Sequence, residues 1–187
     1  MNEDAAESDD PPEAELAPIE FASPGRFAIN NPPSAANRPE AWQAASCVLG
    51  KTGELQRFSS PEEARALALA LLQQARRSLC LYSPDMESWL YNHELIQTAC
   101  KTYLLGHPQN SLRILLRDSS KVVKDGHRLL TLSRRLSSKM HIRILNPEQP
   151  VEELAYLLVD DRGMLMRPEP EQIAGYALFN DPGRVRV

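Results

Sequence analysis

Residues 60–84 read Ser60-Pro61-Glu62-Glu63-Ala64-Arg65-Ala66-Leu67-Ala68-Leu69-Ala70-Leu71-Leu72-Gln73-Gln74-Ala75-Arg76-Arg77-Ser78-Leu79-Cys80-Leu81-Tyr82-Ser83-Pro84. The change of pattern inside this stretch decides the fold. Ser60 is an N-cap residue, Pro61 sits at the first helical position, and Glu63 stands where a capping box needs its carboxylate. Ala64, Leu67, Ala68, Leu71, Leu72 and Ala75 then recur at helical spacing, which predicts a helix to about Arg77. The run 78–83 is short, apolar and halted by Pro84, so it reads as a buried strand.

The same alternation continues downstream. A second helix is expected from Asp85 to about Gly106, with Trp89, His93, Ile96, Cys100 and Tyr103 on one face and His93 as a packed, hydrogen-bonded core residue. Residues 112–116 read as a strand, 121–138 as a third helix and 140–145 as an alternating strand. Runs at 154–159 and 164–167 flank Asp160-Asp161-Arg162-Gly163, a hairpin turn, and a last strand at 174–179 precedes the turn Asn180-Asp181-Pro182-Gly183. Strands separated by helices need crossover connections. The expectation is therefore an α/β domain over residues 60–187: a mostly parallel sheet flanked by helices, with antiparallel strands at the C-terminal end.

Upstream the pattern is lost. Residues 1–59 are acidic and proline-rich, with no helical or strand period, and such composition cannot offset its ordering entropy. They are expected to form a disordered arm in which Phe21, Phe27, Ile29 and Trp42 alone could dock on the domain or a partner. Residues 1–20 hold eight acids and no Lys or Arg, so a chain of net charge −4 leaves +4 on the other 167 residues.

The composition excludes several classes. The longest apolar run, residues 66–72, is far below the roughly 18 residues of a membrane span, so no membrane association is expected. The acidic N-terminus has neither a secretory nor a mitochondrial leader pattern, which makes the cytoplasm the expected location. Cys47, Cys80 and Cys100 form no C-x-x-C and read as buried thiols, and no histidine stands at metal-ligand or triad spacing. No metal and no cofactor is expected. Walker, G-x-G-x-x-G and G-x-S-x-G patterns are lacking.

Charge is the strongest local signal. Residues 112–145 hold nine cations (Arg113, Arg117, Lys121, Lys124, Arg128, Arg134, Arg135, Lys139, Arg143) against Asp118 and Asp125. At 100° per residue, Lys121, Lys124, Arg128, Arg135 and Lys139 share a sector of about 60°, and an unbroken helix would spread them along roughly 27 Å. A stripe of that length can follow a phosphate backbone, unless Gly126 breaks it or the cations simply form a solvated face. At the carboxyl edge of the strands, where ligands of open α/β sheets gather, Arg117 beside Ser119 and Ser120 could cradle an anion. Ordinary capping is the alternative role for Asp85, Asp118 and these serines.

The element order over residues 60–181 resembles one half of the phospholipase D superfamily, whose late strand carries His-x-Lys-x4-Asp. Leu154-Ala155-Tyr156-Leu157-Leu158-Val159-Asp160 matches the apolar body and closing aspartate of that run, and Asn180 is similar to the asparagine that follows it. With Asp160 aligned, Glu153 takes the place of the nucleophilic histidine and Ala155 that of the lysine. The resemblance therefore implies a pseudo-active site of Glu153, Ala155, Asp160 and Asn180 without phosphodiesterase activity. The whole segment resembles a bacterial family of such degenerate phospholipase D-like domains. Together with the basic stripe and the anion cradle at the strand edge, this makes a non-catalytic binding or regulatory module the expected role, its partner RNA, DNA or another phosphorylated ligand. Two alternatives stand beside it: a scaffold pairing as a homodimer or docking another protein, and a hydrolase using His127 or His141 with Asp118.

Overall fold

Strands with helical crossovers do assemble side by side. In the computed structural model, which describes residues 42–146, 148 and 153–185, the elements are β1 (Gln56–Phe58), α1 (Pro61–Gln74), β2 (Leu79–Ser83), α2 (Ser88–Tyr91), α3 (Glu94–Gly106), β3 (Leu112–Leu116), α4 (Ser120–Asp125), α5 (Arg128–Arg135), β4 (Met140–Ile144), β5 (Ala155–Val159), β6 (Gly163–Arg167) and β7 (Gly175–Leu178). They build one seven-stranded mixed sheet in the order β1-β7-β6-β5-β2-β3-β4, flanked by helices. The helix-separated strands β2, β3 and β4 are parallel. The four other ladders are antiparallel, a larger share than the element pattern suggests, because β5 returns beside β2 and β1 joins β7 at the far edge.

The helix α1 forms for the reasons legible at its start. Ser60 accepts the Glu63 amide at 3.3 Å while the Glu63 carboxylate accepts the Ser60 amide, a complete capping box. Its buried residues Leu67, Leu69, Leu71 and Leu72 each contribute about 1.5–3 kcal/mol of burial free energy. They meet Leu79, Leu81, Leu112, Ile114, Leu157, Val159 and Leu165 on one side of the sheet, together with Ile96, Cys100 and Leu104 of α3 and Leu129 and Leu132 of α5.

The other side of the sheet is built differently. In register, one row runs from Arg57 through Tyr176, Met166, Tyr156, Tyr82 and Leu115 to Arg143. The next runs from Leu178 through Met164, Leu158, Cys80 and Arg113 to His141. Among the described residues no helix packs there; Val185 covers Met164 and Leu178.

Four expectations are corrected. Residues 42–59 are not part of an arm: β1 pairs with β7, Trp42 stacks on His93 with ring centroids 3.9 Å apart, and the Ala45 amide donates to Ala66 O. Long-range pairing and burial outweigh their local composition. Gly175 makes this possible, since the Met166 carbonyl and the Phe58 ring occupy the space of any side chain there. The remainder of the expected arm, residues 1–41, lies outside the described residues.

The second helix does not start at Asp85. Met86 and Glu87 have positive φ of 59° and 21°, so the chain turns through α2 before α3 begins. His93, half-buried rather than a core residue, is the N-cap of α3, its Nδ1 accepting the Leu95 amide. The third helix is not continuous. Gly126, at φ 74°, separates α4 from α5, and His127 caps α5. Finally, the residues aligned with a catalytic motif are split between two edges of the sheet, as described next. No described helix is long and apolar enough to cross a membrane.

Candidate functional site at the carboxyl edge of the parallel strands

The strands β2, β3 and β4 end at Ser83, Leu116 and Ile144. Because β5 is antiparallel to β2, its first residue, Ala155, lies at this same edge, paired with Arg167 at the end of β6. Ala155 is buried and Glu153 is exposed. Asp160 and Asn180 lie at the opposite edge, beyond Val159 and Leu178. Five strand residues at about 3.3 Å separate the two groups by roughly 17 Å. The four positions do not form one pocket.

At the far edge Asp160, with φ 54°, is a structural carboxylate. It accepts the amides of Arg77 at 2.7 Å, Ser78 at 3.0 Å and Arg76 at 3.2 Å, fixing the α1–β2 connection. Asn180 is exposed; the next residue, Asp181, donates its amide to Arg162 O at 3.0 Å.

At the carboxyl edge the chemistry belongs to a cluster with no counterpart in the expectations. Arg167 and Glu87, 2% and 6% exposed, form a buried ion pair. Ser83 Oγ donates to Glu87 at 2.8 Å and accepts the Met86 amide at 2.9 Å. Arg167 also donates to the carbonyls of Gln172 and Pro170, and its guanidinium lies 5.0 Å from the Trp89 ring centroid. Burial outweighs the pull of Arg167 and holds the Glu87 carboxyl above its ordinary range; burial also pushes the Tyr91 phenol well up. The one sequence signal was an arginine on the inward face of an apolar strand, which requires a buried acid as partner.

The Arg117-Asp118-Ser119-Ser120 turn is largely self-contained. Asp118 Oδ1 accepts both the Ser120 amide at 2.8 Å and the Ser120 hydroxyl at 2.7 Å, and these bonds hold its carboxyl below the usual range. The stripe of cations divides by role. Lys121 pairs with Asp85 at 2.8 Å, and Lys139 donates to Leu104 O and His107 O at 2.8 Å, capping the end of α3. Arg117, Lys124, Arg128, Arg134 and Arg135 are exposed and have no ion pair among the described residues. Arg113, His141 and Arg143 stand apart, on the helix-free side of the sheet.

Among the described residues the histidines offer no dyad. His127 is buried, its Nδ1 accepts the Leu129 amide, and its Nε2 has no hydrogen-bond partner among the described residues; burial lowers its pKa to about 4. His141 lies on the edge strand β4 beside Arg113, and Asp118 is engaged by Ser120. Among the described residues no group of three or more His, Cys, Asp or Glu is placed to hold a metal.

These features define a mixed α/β domain with helices against one side of its sheet and a closed polar cluster at the carboxyl edge of its parallel strands. Residues 60–187 match the family described as "Domain of unknown function (DUF7931)", and the chain belongs to that family. The comparison with curated proteins found no match. Among solved structures, it is similar to TrmBL2, an archaeal chromatin protein with a novel mode of DNA binding. The TM-score is 0.51 at 10% identity, covering 72% of this chain and 48% of that one. The chain thus spans about half the length of that protein, with which it shares a fold. It is also similar to phosphatidylserine synthase of Haemophilus influenzae Rd KW20 (TM-score 0.47, 16% identity, 70% of this chain and 35% of that one). A third similarity is to NucT from Helicobacter pylori (TM-score 0.44, 11% identity, 71% and 88%).

Proposed function

We propose that this chain is a phospholipase D-like half domain that grips a nucleic acid and does not cut it. The observation that carries the reading is the set of five exposed cations between β3 and β4, namely Arg117, Lys124, Arg128, Arg134 and Arg135, with no ion pair among the described residues. A polyanion releases counterions when it meets such a surface, which is the sequence-independent source of nucleic-acid affinity. Loss of phosphodiesterase chemistry is supported by Glu153 and Ala155 at the histidine and lysine positions and by the internal pairing of Arg167 with Glu87.

The test titrates a labelled 20-nucleotide DNA or RNA at ~50 and ~200 mM salt. Five phosphate contacts give a log–log slope of about −3.5 to −4.5, and glutamine at all five cations flattens it toward zero. No binding at the lower salt, or an unchanged slope in the five-fold variant, refutes the proposal. All five side chains are exposed, so the variant is expected to keep its fold.

A further inference from the structure

A sheet ends in two edges, and β4 forms one of them: among the described residues its only strand neighbour is β3. The phase of that ladder is fixed by the bonds at its ends, where the Leu112 amide donates to Lys139 O at 2.9 Å and the Leu145 amide to Leu116 O at 2.7 Å. Alternate residues of a strand turn their main-chain groups to opposite neighbours, so His141 and Arg143 bond toward β3 while Ile142 and Ile144 present N–H and C=O at the free edge. Among the described residues nothing bonds those four groups. Folded proteins blunt such edges with proline, a bulge or charge. β4 holds no proline, and its register runs residue for residue from Leu112 opposite Met140 to Leu116 opposite Ile144. Only charge guards it, and that charge has one sign.

His141 and Arg143 project to the helix-free side beside Arg113, all three exposed and without an ion pair among the described residues. On the helix side the same strand offers Ile142, half-buried next to the core, and Ile144, 59% exposed. A strand laid along this edge is therefore complementary when its residues alternate, acids on the side of His141 and Arg143 and aliphatic residues on the side of Ile142 and Ile144. A second copy lacks that complement. Two β4 strands paired antiparallel about Ile142 would set Arg143 of each opposite His141 of the other with no acid between them, and pairing about Arg143 would set two guanidiniums together. We propose that β4 is the docking edge for an extended segment of a partner protein in which Asp or Glu alternates with aliphatic residues, added antiparallel beside β4. This does not rest on nucleic-acid binding, which Arg117, Lys124, Arg128, Arg134 and Arg135 carry separately.

The probe is a labelled peptide of alternating glutamate and valine, blocked at both ends, titrated into the full chain at ~50 mM salt and followed by fluorescence anisotropy. Its isomer with the glutamates grouped at one end carries the same charge and should bind about tenfold more weakly, because it cannot place acid and aliphatic residues on opposite sides. Opposite Ile142 and Ile144 the valines exchange both main-chain bonds, so N-methylation of the valines should abolish binding and N-methylation of the glutamates should spare it. Arg143→Glu should weaken the peptide about tenfold and admit one of alternating lysine and valine in its place. Ile144→Pro removes an outward N–H and no bond to β3, and should weaken binding about fivefold without moving the denaturation midpoint. Absence of binding, equal affinity for the two isomers, or indifference to valine methylation overturns the proposal. So does light scattering in which Ile144→Pro converts an assembled chain to a monomer, which gives the edge to a second copy. A 20-nucleotide strand that binds where the peptide does not, and that Arg143→Glu weakens, gives the edge to a nucleic acid and overturns it as well.

Discussion

The two ends of the central strands each hold a buried carboxylate, and they are satisfied in opposite ways. Asp160 is met by three main-chain amides from the segment immediately before β2. Glu87 is met by one side chain, Arg167, 80 residues away along the sequence, and by Ser83. Backbone amides are supplied by any sequence that closes the same turn, whereas a buried guanidinium exists only if its codon does. The first end is robust to change around it; the second depends on a single pair.

That difference can be broken by mutation. The largest effect is expected from Arg167→Ala, which leaves Glu87 buried without its countercharge and should cost about 3–5 kcal/mol in chemical denaturation. Combining Arg167→Met with Glu87→Gln should recover most of this, because no uncompensated charge remains. A double variant as unstable as the single one would show that the carbonyl contacts of Arg167, rather than its charge pairing, hold the edge. Next is Asp160→Ala, expected to cost about 2–3 kcal/mol by stranding three amides and placing alanine at φ 54°. Asp160→Asn should cost about 1 kcal/mol, since asparagine tolerates that conformation and still accepts. The smallest effect is in pH. His127, beside the Met86–Glu87 turn, is held neutral in the fold with a pKa of about 4, below the ordinary 6.5. The unfolded chain then binds the extra proton, so stability should fall as pH is lowered from about 6.5 to about 4, by on the order of 1 kcal/mol since local opening limits the loss. Denaturation midpoints of the parent and His127→Gln across that window measure it; parallel curves would exclude this histidine as the cause.

The same contrast separates what was legible in the sequence from what was not. Local signals were. Ser60 and Glu63 make the capping box their spacing announces, and the strand at 112–116 falls on the residues its pattern marks. Features set by partners distant in sequence were not. β1 is three residues long in a stretch with no apolar period, and its pairing with β7 spans more than a hundred residues. The Asp85 start failed because the turn at Met86 and Glu87 is fixed by Ser83 Oγ and by Arg167. The basic stripe was found as a composition but mis-shaped as a helix, because Gly126 takes a backbone angle that ends α4. Of its cations, Lys121 and Lys139 serve the fold, which only the positions of Asp85 and of the α3 carbonyls reveal. Asp160, aligned with the family aspartate, instead braces a connection at the other end of the strand from Ala155.

The pairing of β1 with β7 also has a temporal side. A ribosome makes Gln56–Phe58 more than a hundred residues before Gly175–Leu178. Parallel β2, β3 and β4 can assemble before β7 is made, but the outer ladder must wait until β7 has emerged. Until then the early strand has no mate, and a nascent chain stalled before codon 175 would carry it as an unprotected, sticky end.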